Sequence, residues 1–461
     1  MIGHRVSRLG PLAAGSLVVA LVSSSAIADT LADAMVKAYR SSPELSAGQA
    51  NVRVLAEQAA QARAGGRVQV QGTANITSQF LNLERFIFPT TLQLDVTQPL
   101  YTGGQVENAT EAAERRITAG EARLVATEQN ILLNTVAAFL DVRRDQTLVS
   151  LGRNNVRVIN EQLRAARERF DVGEVTQTDV AQAEARLAAA RSQLAARMGQ
   201  LEISRESYRR VVGEYPSRLA PPPPLPDLPN DLDEAIAITL TDEPAVRVAR
   251  LERLAAGSDV RTAIGALLPQ VNLLGQLQRT DTITLSGDQR ANASLGLQVV
   301  IPFYNGGANH SNVREAQAQV DAREADVQTA LRNASQGAGN AWADLNVARA
   351  SIRAGRLQVK AAQIAFDGVQ EEAKVGARTT LDVLDAEQEL LDARGNLVTA
   401  RRDEYVAAYS LLFAIGKLTI DHLGLDIEGV ESVASYYDEV KDKAFGYSID
   451  DDTVWTLSYR P

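Results

Sequence analysis

Between residues 67 and 77 the chain alternates apolar and polar side chains, with Val68, Val70, Ala74 and Ile76 on one parity and Gln69, Gln71, Thr73, Asn75 and Thr77 on the other. Period-two alternation predicts a β-strand with two unlike faces. The pattern recurs as Leu92, Leu94 and Val96 opposite Gln93, Asp95 and Thr97. It returns as Val271 and Leu273 opposite Asn272, and as Leu295, Leu297 and Val299 opposite Ser294 and Gln298. Four strands in two hairpins are predicted, at about 67–101 and about 269–303, each long enough for the roughly 9–11 tilted residues of a barrel strand that crosses a bilayer. A half-buried soluble sheet shares the alternation. A polar face of Gln, Asn and Thr, in a chain with few other strands, favours a water-filled lumen instead. Four strands cannot enclose water, since small membrane barrels use about eight, so several chains must share one barrel.

Each second strand runs into a punctuated turn, Pro99, Tyr101, Gly103 and Gly104 in the first hairpin and Pro302, Tyr304, Gly306 and Gly307 in the second. Proline ends ladder pairing, glycine allows a sharp redirection, and tyrosine suits a membrane interface. A plain strand-to-helix loop would carry similar residues. Beyond the turns, no proline interrupts 105–215 or 303–460, and Ile117, Leu124 and Ile131 recur at sevens, matched by Val320, Val327 and Ala334. This spacing predicts long helices with narrow coiled-coil-like seams. A helix from about 105 to 170 would measure on the order of 100 Å at 1.5 Å per residue. Near its far end each long helix meets Val-Gly, at Val172-Gly173 and Val375-Gly376. A returning helix then opens on Thr176-x-x-Asp179 or Thr379-x-x-Asp382, a close relative of the capping box. Gly213 and Gly416 are the expected C-terminal caps.

One offset of 203 relates all these features: it carries Pro99, Tyr101, Gly103 and Gly104 onto Pro302, Tyr304, Gly306 and Gly307, and Asp179 onto Asp382. The chain reads as a tandem duplication. Repeat 1 covers 29–220, with its tip turn at about 170–178. A proline-rich linker covers 221–230. Repeat 2 covers 231–416, with its tip turn at about 373–381. Shorter helices are expected ahead of each hairpin, with Pro43 and Pro244 near helix starts. The segment 417–461 is acidic and aromatic without a clear period.

Basic Arg5 and Arg8, an apolar run from Leu12 to Val22 and the small-residue site Ala26-Ile27-Ala28 mark residues 1–28 as a secretory signal peptide. With no cysteine in the chain, disulfides, thiolate chemistry and a lipidated N-terminal Cys are excluded. His310 and His422 are the histidines left after the signal and lack ligand-spaced neighbours, so no metal site and no cofactor is expected. The full chain has 47 basic and 57 acidic side chains. Loss of Arg5 and Arg8 leaves 45 against 57, a formal −12, which disfavours nucleic acid and suits cations.

These features together resemble the TolC family of outer-membrane channel proteins, over essentially all of the mature sequence. The carrying stretches are Arg169-Phe170-Asp171-Val172-Gly173 with Thr178-Asp179-Val180, Leu268-Pro269-Gln270, Ile301-Pro302-Phe303-Tyr304-Asn305-Gly306-Gly307, and Val375 through Ala386. The resemblance implies an α+β fold: a homotrimer whose twelve strands, four per chain, close one transmembrane β-barrel in the outer membrane, continued by a periplasmic tunnel of long helices. It implies a periplasmic adaptor protein and an inner-membrane transporter as partners, docking at the helix tips. Asp29 stands where lipidated relatives carry cysteine, which points to the branch serving both type I protein secretion and drug efflux.

At the second tip Val175 is replaced by Arg378 and Gln182 by Asp385. Asp382 and Asp385 are three apart on one helical face, so threefold symmetry would gather six carboxylates at a periplasmic aperture, attracting cations. The family resemblance suggests that Arg378 pairs with Asp179 of the neighbouring repeat as a latch, although Ala373 stands where a tyrosine often assists. Solvated charge and plain helix capping are the simpler readings of these residues. Val172, Gly173, Val375 and Gly376 are the expected adaptor-docking tips. A passive exit duct thus competes with a structural spacer between envelope layers, and with a secreted enzyme, for which no convergent acid, base or nucleophile is visible.

Overall fold

The computed structural model describes residues 29–81, 85–283, 288–425 and 433–444. The signal peptide lies outside them, as do the tips of both hairpins and residues 445–461. Helices α1 (Leu31–Ser41) and α2 (Pro43–Ala64) precede strands β1 (Gln69–Ile76), β2 (Gln79–Leu81) and β3 (Arg85–Tyr101). Then follow α3 (Gln105–Asp171) and α4 (Gln177–Val212). The order repeats as α5 (Leu232–Asp242), α6 (Pro244–Gly265), β4 (Gln270–Ile283), β5 (Asp288–Val300), α7 (Ala308–Lys374) and α8 (Thr380–Ala414), with α9 (Ile420–Leu423) and α10 (Val433–Val440) closing the described chain. The chain is mostly helical with one sheet. Helices α3 and α7 are each 67 residues long and their bounds differ by the same 203. At 1.5 Å per residue each spans about 100 Å.

Pro43 and Pro244 occupy the first turns of α2 and α6, where a missing N–H costs nothing. Ser42 and Glu243 accept from Leu45 N and Val246 N at these starts, which satisfies one orphan donor each. Gly213 closes α4 in the left-handed region, and Gly416 does the same just past α8. A Cβ on Gly416 would stand 2.5 Å from the Asp242 carbonyl oxygen, so only glycine lets the end of α8 meet the end of α5.

The sheet is antiparallel in the order β1-β3-β4-β5, with β2 also on β3. The first hairpin differs from expectation in one respect: its leading strand is split into β1 and β2. Thr77 N donates to Pro89 O at 3.1 Å, but Pro89 has no N–H to return the bond, so the ladder breaks opposite it and resumes at Gln79↔Ile87.

The core lies in neither face of the sheet. It forms a belt midway along the helices, where Leu132, Val136 and Phe139 of α3 meet Leu31 and Met35 of α1, Tyr208 of α4, Leu345 of α7 and Leu411 and Leu412 of α8. Buried Asp145 is held within this belt by Ser204 Oγ at 2.5 Å and by both arms of Arg144 at 2.8 and 3.0 Å. Arg402 of α8 reaches across to Asp141 of α3 at 2.8 Å, tying the two hairpins together. The heptad residues Ile117 and Ile131 are buried, and Leu124 packs on both clusters they belong to.

The proline linker is pinned rather than free: Arg143 donates at 3.0 Å to Leu219 O just ahead of it, and Tyr405 to Pro223 O within it at 2.9 Å. Beyond 417, where the sequence shows no period, α10 straps onto α2 and α3. Tyr436 donates to Glu57 and Tyr437 to Glu114, each at 2.8 Å, and Arg67 binds Asp442 at 3.0 Å.

Candidate functional site

In an antiparallel sheet directly paired residues share a face, so the register assigns every strand position. Leu94 lies between Gly72 and Leu277, which in turn faces Ala293; Val96 pairs with Val70 and Gly275, and Leu297 with Leu273. All are small or apolar. On the opposite face Gln93 lies between Thr73 and Gln278, Asp95 between Gln71 and Gln276, and Gln276 is paired with Ser294. Asp95 is not a bare charge, since Gln93 donates to its two oxygens at 2.9 and 2.8 Å and Gln276 at 3.2 Å. Both faces are solvent-exposed within one chain, and β1 and β5 end the sheet without a partner strand.

Where sheet becomes helix, the two boundary motifs adopt one backbone shape in different surroundings. Gly103 and Gly104 have φ of 66° and 78°, Gly306 and Gly307 of 64° and 84°. A Cβ on Gly103 would collide with Gly265 O, so this turn is wedged against the end of α6. Tyr101 sits beyond a bulge at Pro99 and pairs with Val271. The second motif touches nothing comparable within the chain. Pro302 follows the end of β5, and Phe303 and Tyr304 stand 89% and 86% exposed.

At the other end both tips are built alike. Gly173 and Gly376 each have φ of 78°, and their N–H groups donate to Phe170 O and Ala373 O. Val172 and Val375 project into solvent, 72% and 81% exposed. Asp179 accepts from Thr176 N at 2.9 Å and Thr176 Oγ1 at 2.8 Å, and Asp382 accepts from Thr379 at the same two distances. Both are complete capping boxes. The threonine hydroxyl and N–H hold both carboxyls below the usual aspartate range.

Two charged side chains near the tips have partners within the chain. Within the chain Arg378 does not pair with Asp179; its Nε donates to Glu372 Oε2 at 2.8 Å across its own turn. Asp385 is not a bare carboxylate, because Arg186 of α4 binds it. The cause is local: the α8 residues three and four away from Asp385 are Leu381, Asp382, Gln388 and Glu389, so its own helix supplies no cation. That absence of an i±3 or i±4 partner is the signal that could have located Arg186. Beside this pair Leu384 packs among Ile159, Leu163, Ala183 and Leu187, so α8 and the α3/α4 hairpin lie side by side near their tips. Each tip thus carries one capped aspartate, and an α4–α8 ion pair lies beside them. Among the described residues no cluster of His, Asp or Glu has the form of a metal site, and no helix is long and apolar enough to cross a membrane.

Comparison with known proteins places this architecture. The profile of the outer membrane efflux protein family matches twice, over residues 34–214 and 235–417. The outer membrane efflux protein BepC of Brucella suis biovar 1 (strain 1330) is 38% identical over 428 residues, covering 92% of this chain and 93% of that protein. The outer membrane protein TolC of Vibrio cholerae is 26% identical over 324 residues, covering 67% and 73%. The crystallised CusC superimposes with a TM-score of 0.75 at 19% identity, over 85% of this chain and 92% of that one, a likeness of fold. The family is one of channels and not of enzymes, and this chain, with its long helical hairpins and two-faced sheet, belongs to the outer membrane efflux protein family.

Proposed function

We propose that the chain works as a homotrimer forming the passive exit duct of a tripartite efflux or type I secretion machine. The observation that carries this reading is the sheet, with one mainly apolar face on which Arg279 and Asp281 pair with each other towards the hairpin tips, one face of Gln, Asn, Thr and Asp, and two open edges. Such a sheet is stable in a membrane only when its edges close, and three copies supply twelve strands. The in-chain pairing of β3 with β4 also suggests how closure is registered. Applied between copies with the 203 offset, it sets Leu297 of β5 opposite Ala74 of the next copy's β1, and Gln298 opposite Thr73. Apolar meets apolar and polar meets polar, so the barrel keeps a lipid face and a wet lumen all the way round.

Residues 29–220 and 231–416 then act as two equivalent staves, joined by 221–230. The barrel sits in the outer membrane and the helices cross the periplasm. Boundary residues Pro99, Tyr101, Gly103 and Gly104, with Pro302, Tyr304, Gly306 and Gly307, mark the inner edge of the bilayer. The exposed tips Val172, Gly173, Val375 and Gly376 meet a periplasmic adaptor protein, through which an inner-membrane transporter supplies energy and cargo. Asp179, Arg378, Asp382 and Asp385 border the narrow end, where ionised carboxylates favour cations. Reconstitution in a planar bilayer tests the duct: stepwise conductance from purified trimers is expected, and a trimer that inserts yet carries no current would instead be a spacer.

A further inference from the structure

The outward face of the sheet carries one charged pair for which a duct has no use. Across all four strands the outward rows through Val96 and Leu94 are apolar or small. The next outward position on β4 is Arg279, opposite Leu92, and Asp281 follows it, opposite Thr90. A charge facing hydrocarbon is costly, and the cost falls towards zero only near an interface. Arg279 therefore belongs at one.

Its height follows from the register. Val271 pairs with Tyr101 at the sheet-to-helix boundary. From 271 to 279 the strand rises about 27 Å at 3.4 Å per residue, or about 20 Å along the membrane normal at a tilt near 40°. The apolar band of such barrels is about 25 Å tall. A guanidinium that extends away from the apolar rows thus ends at the outer rim of the band, on the side of the hairpin tips.

Three unlike surfaces are stacked there. Asp281 engages only Nε of Arg279, at 3.3 and 3.0 Å from its two oxygens. Both terminal nitrogens of the planar fork are left without a protein partner among the described residues, and the side chain is 57% exposed. Below the fork lies a cleft of about 670 Å³, with Leu94, Leu277 and Ala293 on one wall and Leu92 and Ala291 beside Arg279 on the other. Two outward rows wall this cleft and one inward row lies between them, so it opens outward. Above the fork, on the same side of β3, Phe88 and Phe86 stand 44% and 63% exposed.

We infer that this face binds a phosphorylated, multiply acylated glycolipid of the outer leaflet. An acyl chain lies in the cleft, a phosphate takes the two terminal nitrogens of Arg279, and the apolar face of a sugar ring rests on Phe88 and Phe86. Asp281 is a positioning residue, holding Nε so that the fork faces the phosphate. A phospholipid would fill the cleft and the fork but has no ring for the phenylalanines. The inference rests on the barrel reading above.

Full-length trimers in detergent micelles are titrated with lipid A carrying both phosphates, and separately with phosphatidylglycerol, and bound lipid is counted by native mass spectrometry. Saturable binding of lipid A at one site per copy is expected. Arg279→Ala should weaken it by about tenfold or more, while Arg290→Ala, an arginine of inward parity on β5, should leave it unchanged. Phe86→Ala with Phe88→Ala should weaken lipid A and leave phosphatidylglycerol as it was. The mass identifies the oligomer, so only assembled trimers are scored. If Arg279→Ala does not assemble, Arg279→Lys, which keeps the charge and loses the fork, should weaken lipid A in the same direction. Unchanged lipid A affinity in the Arg279 variant, or phosphatidylglycerol bound as tightly as lipid A, overturns the site alone; a protein that neither forms trimers nor inserts into liposomes overturns the barrel reading itself.

Discussion

Arginine placed on adjacent positions of β3 separates a lipid face from a wet one. Leu94 is flanked on its face by Leu92 and Val96 and paired with Gly72 and Leu277, so an arginine there finds no carboxylate and must sit in hydrocarbon. Near the midplane this costs about 2–4 kcal/mol per chain, roughly 30- to 1000-fold at 1.4 kcal/mol per decade, and the proposed trimer would carry the burden three times. Gln93 points the other way, with its amide nitrogen against both Asp95 oxygens. An arginine at 93 meets a ready counter-charge in water, so its insertion cost is near zero. Urea titration of the protein refolded into liposomes is the assay. Leu94→Arg should lower the unfolding midpoint or abolish insertion, while Gln93→Arg should unfold like the parent and lose cation preference in bilayers, since each copy's Asp95 is then neutralised. Equal loss from both substitutions, or none from either, would refute the assignment of faces.

Gly376→Trp puts a bulky ring beside exposed Val375 at a tip that packs on nothing, and strains a backbone at φ of 78°. Export should fail while trimers and barrel insertion survive; loss of the trimer would mean that the glycine serves only the turn. Asp382→Ala with Asp385→Ala should lower cation preference measured by reversal potential, and Arg186→Ala alone should raise it by freeing Asp385. The cap bonds depress the Asp179 and Asp382 carboxyls below their unfolded values. Their contribution to tip stability is therefore complete above the ordinary aspartate value of about 4 and is lost as pH falls through the lowered folded value. Resting conductance should accordingly be flat from about pH 7 to 5 and rise only in stronger acid. Gly103→Ala combines left-handed strain of about 1–2 kcal/mol with a Cβ driven into Gly265 O, and should lower the thermal midpoint far more than Gly257→Ala on an open helix face.

The parts of this fold that were legible in the sequence are those coded within a few residues. The capping boxes at Thr176 and Thr379, the C-terminal cap glycines Gly213 and Gly416 and the strand alternation each depend on neighbours along the chain, and each is present as expected. What escaped is coded across distance. The split between β1 and β2 arises because Pro89 sits opposite Thr77, which no single strand reveals. Arg186 and Asp385 are 199 residues apart, beyond the reach of any local pattern, and the pairing of Arg378 with Glu372 depends on how sharply the second tip folds back. The strap at α10 has too few turns to show a period; its two tyrosines act through single hydrogen bonds to Glu57 and Glu114.

The position of the core in a belt at mid-helix, with none in the sheet, bears on how the molecule comes into being. Hydrophobic burial can organise the belt in a lone chain, whereas the four-stranded ribbon has neither a second layer nor a closed edge to reward its ordering. Newly exported monomers should thus arrive at the membrane as helical rods with unzipped crowns, protected from hydrogen exchange around Phe139 and Leu412 and open along β1 and β5. Closing the crown and assembling the proposed trimer would then be a single event, concentration-dependent and committed at the moment of insertion, and a monomer whose strands were already protected before assembly would contradict that order.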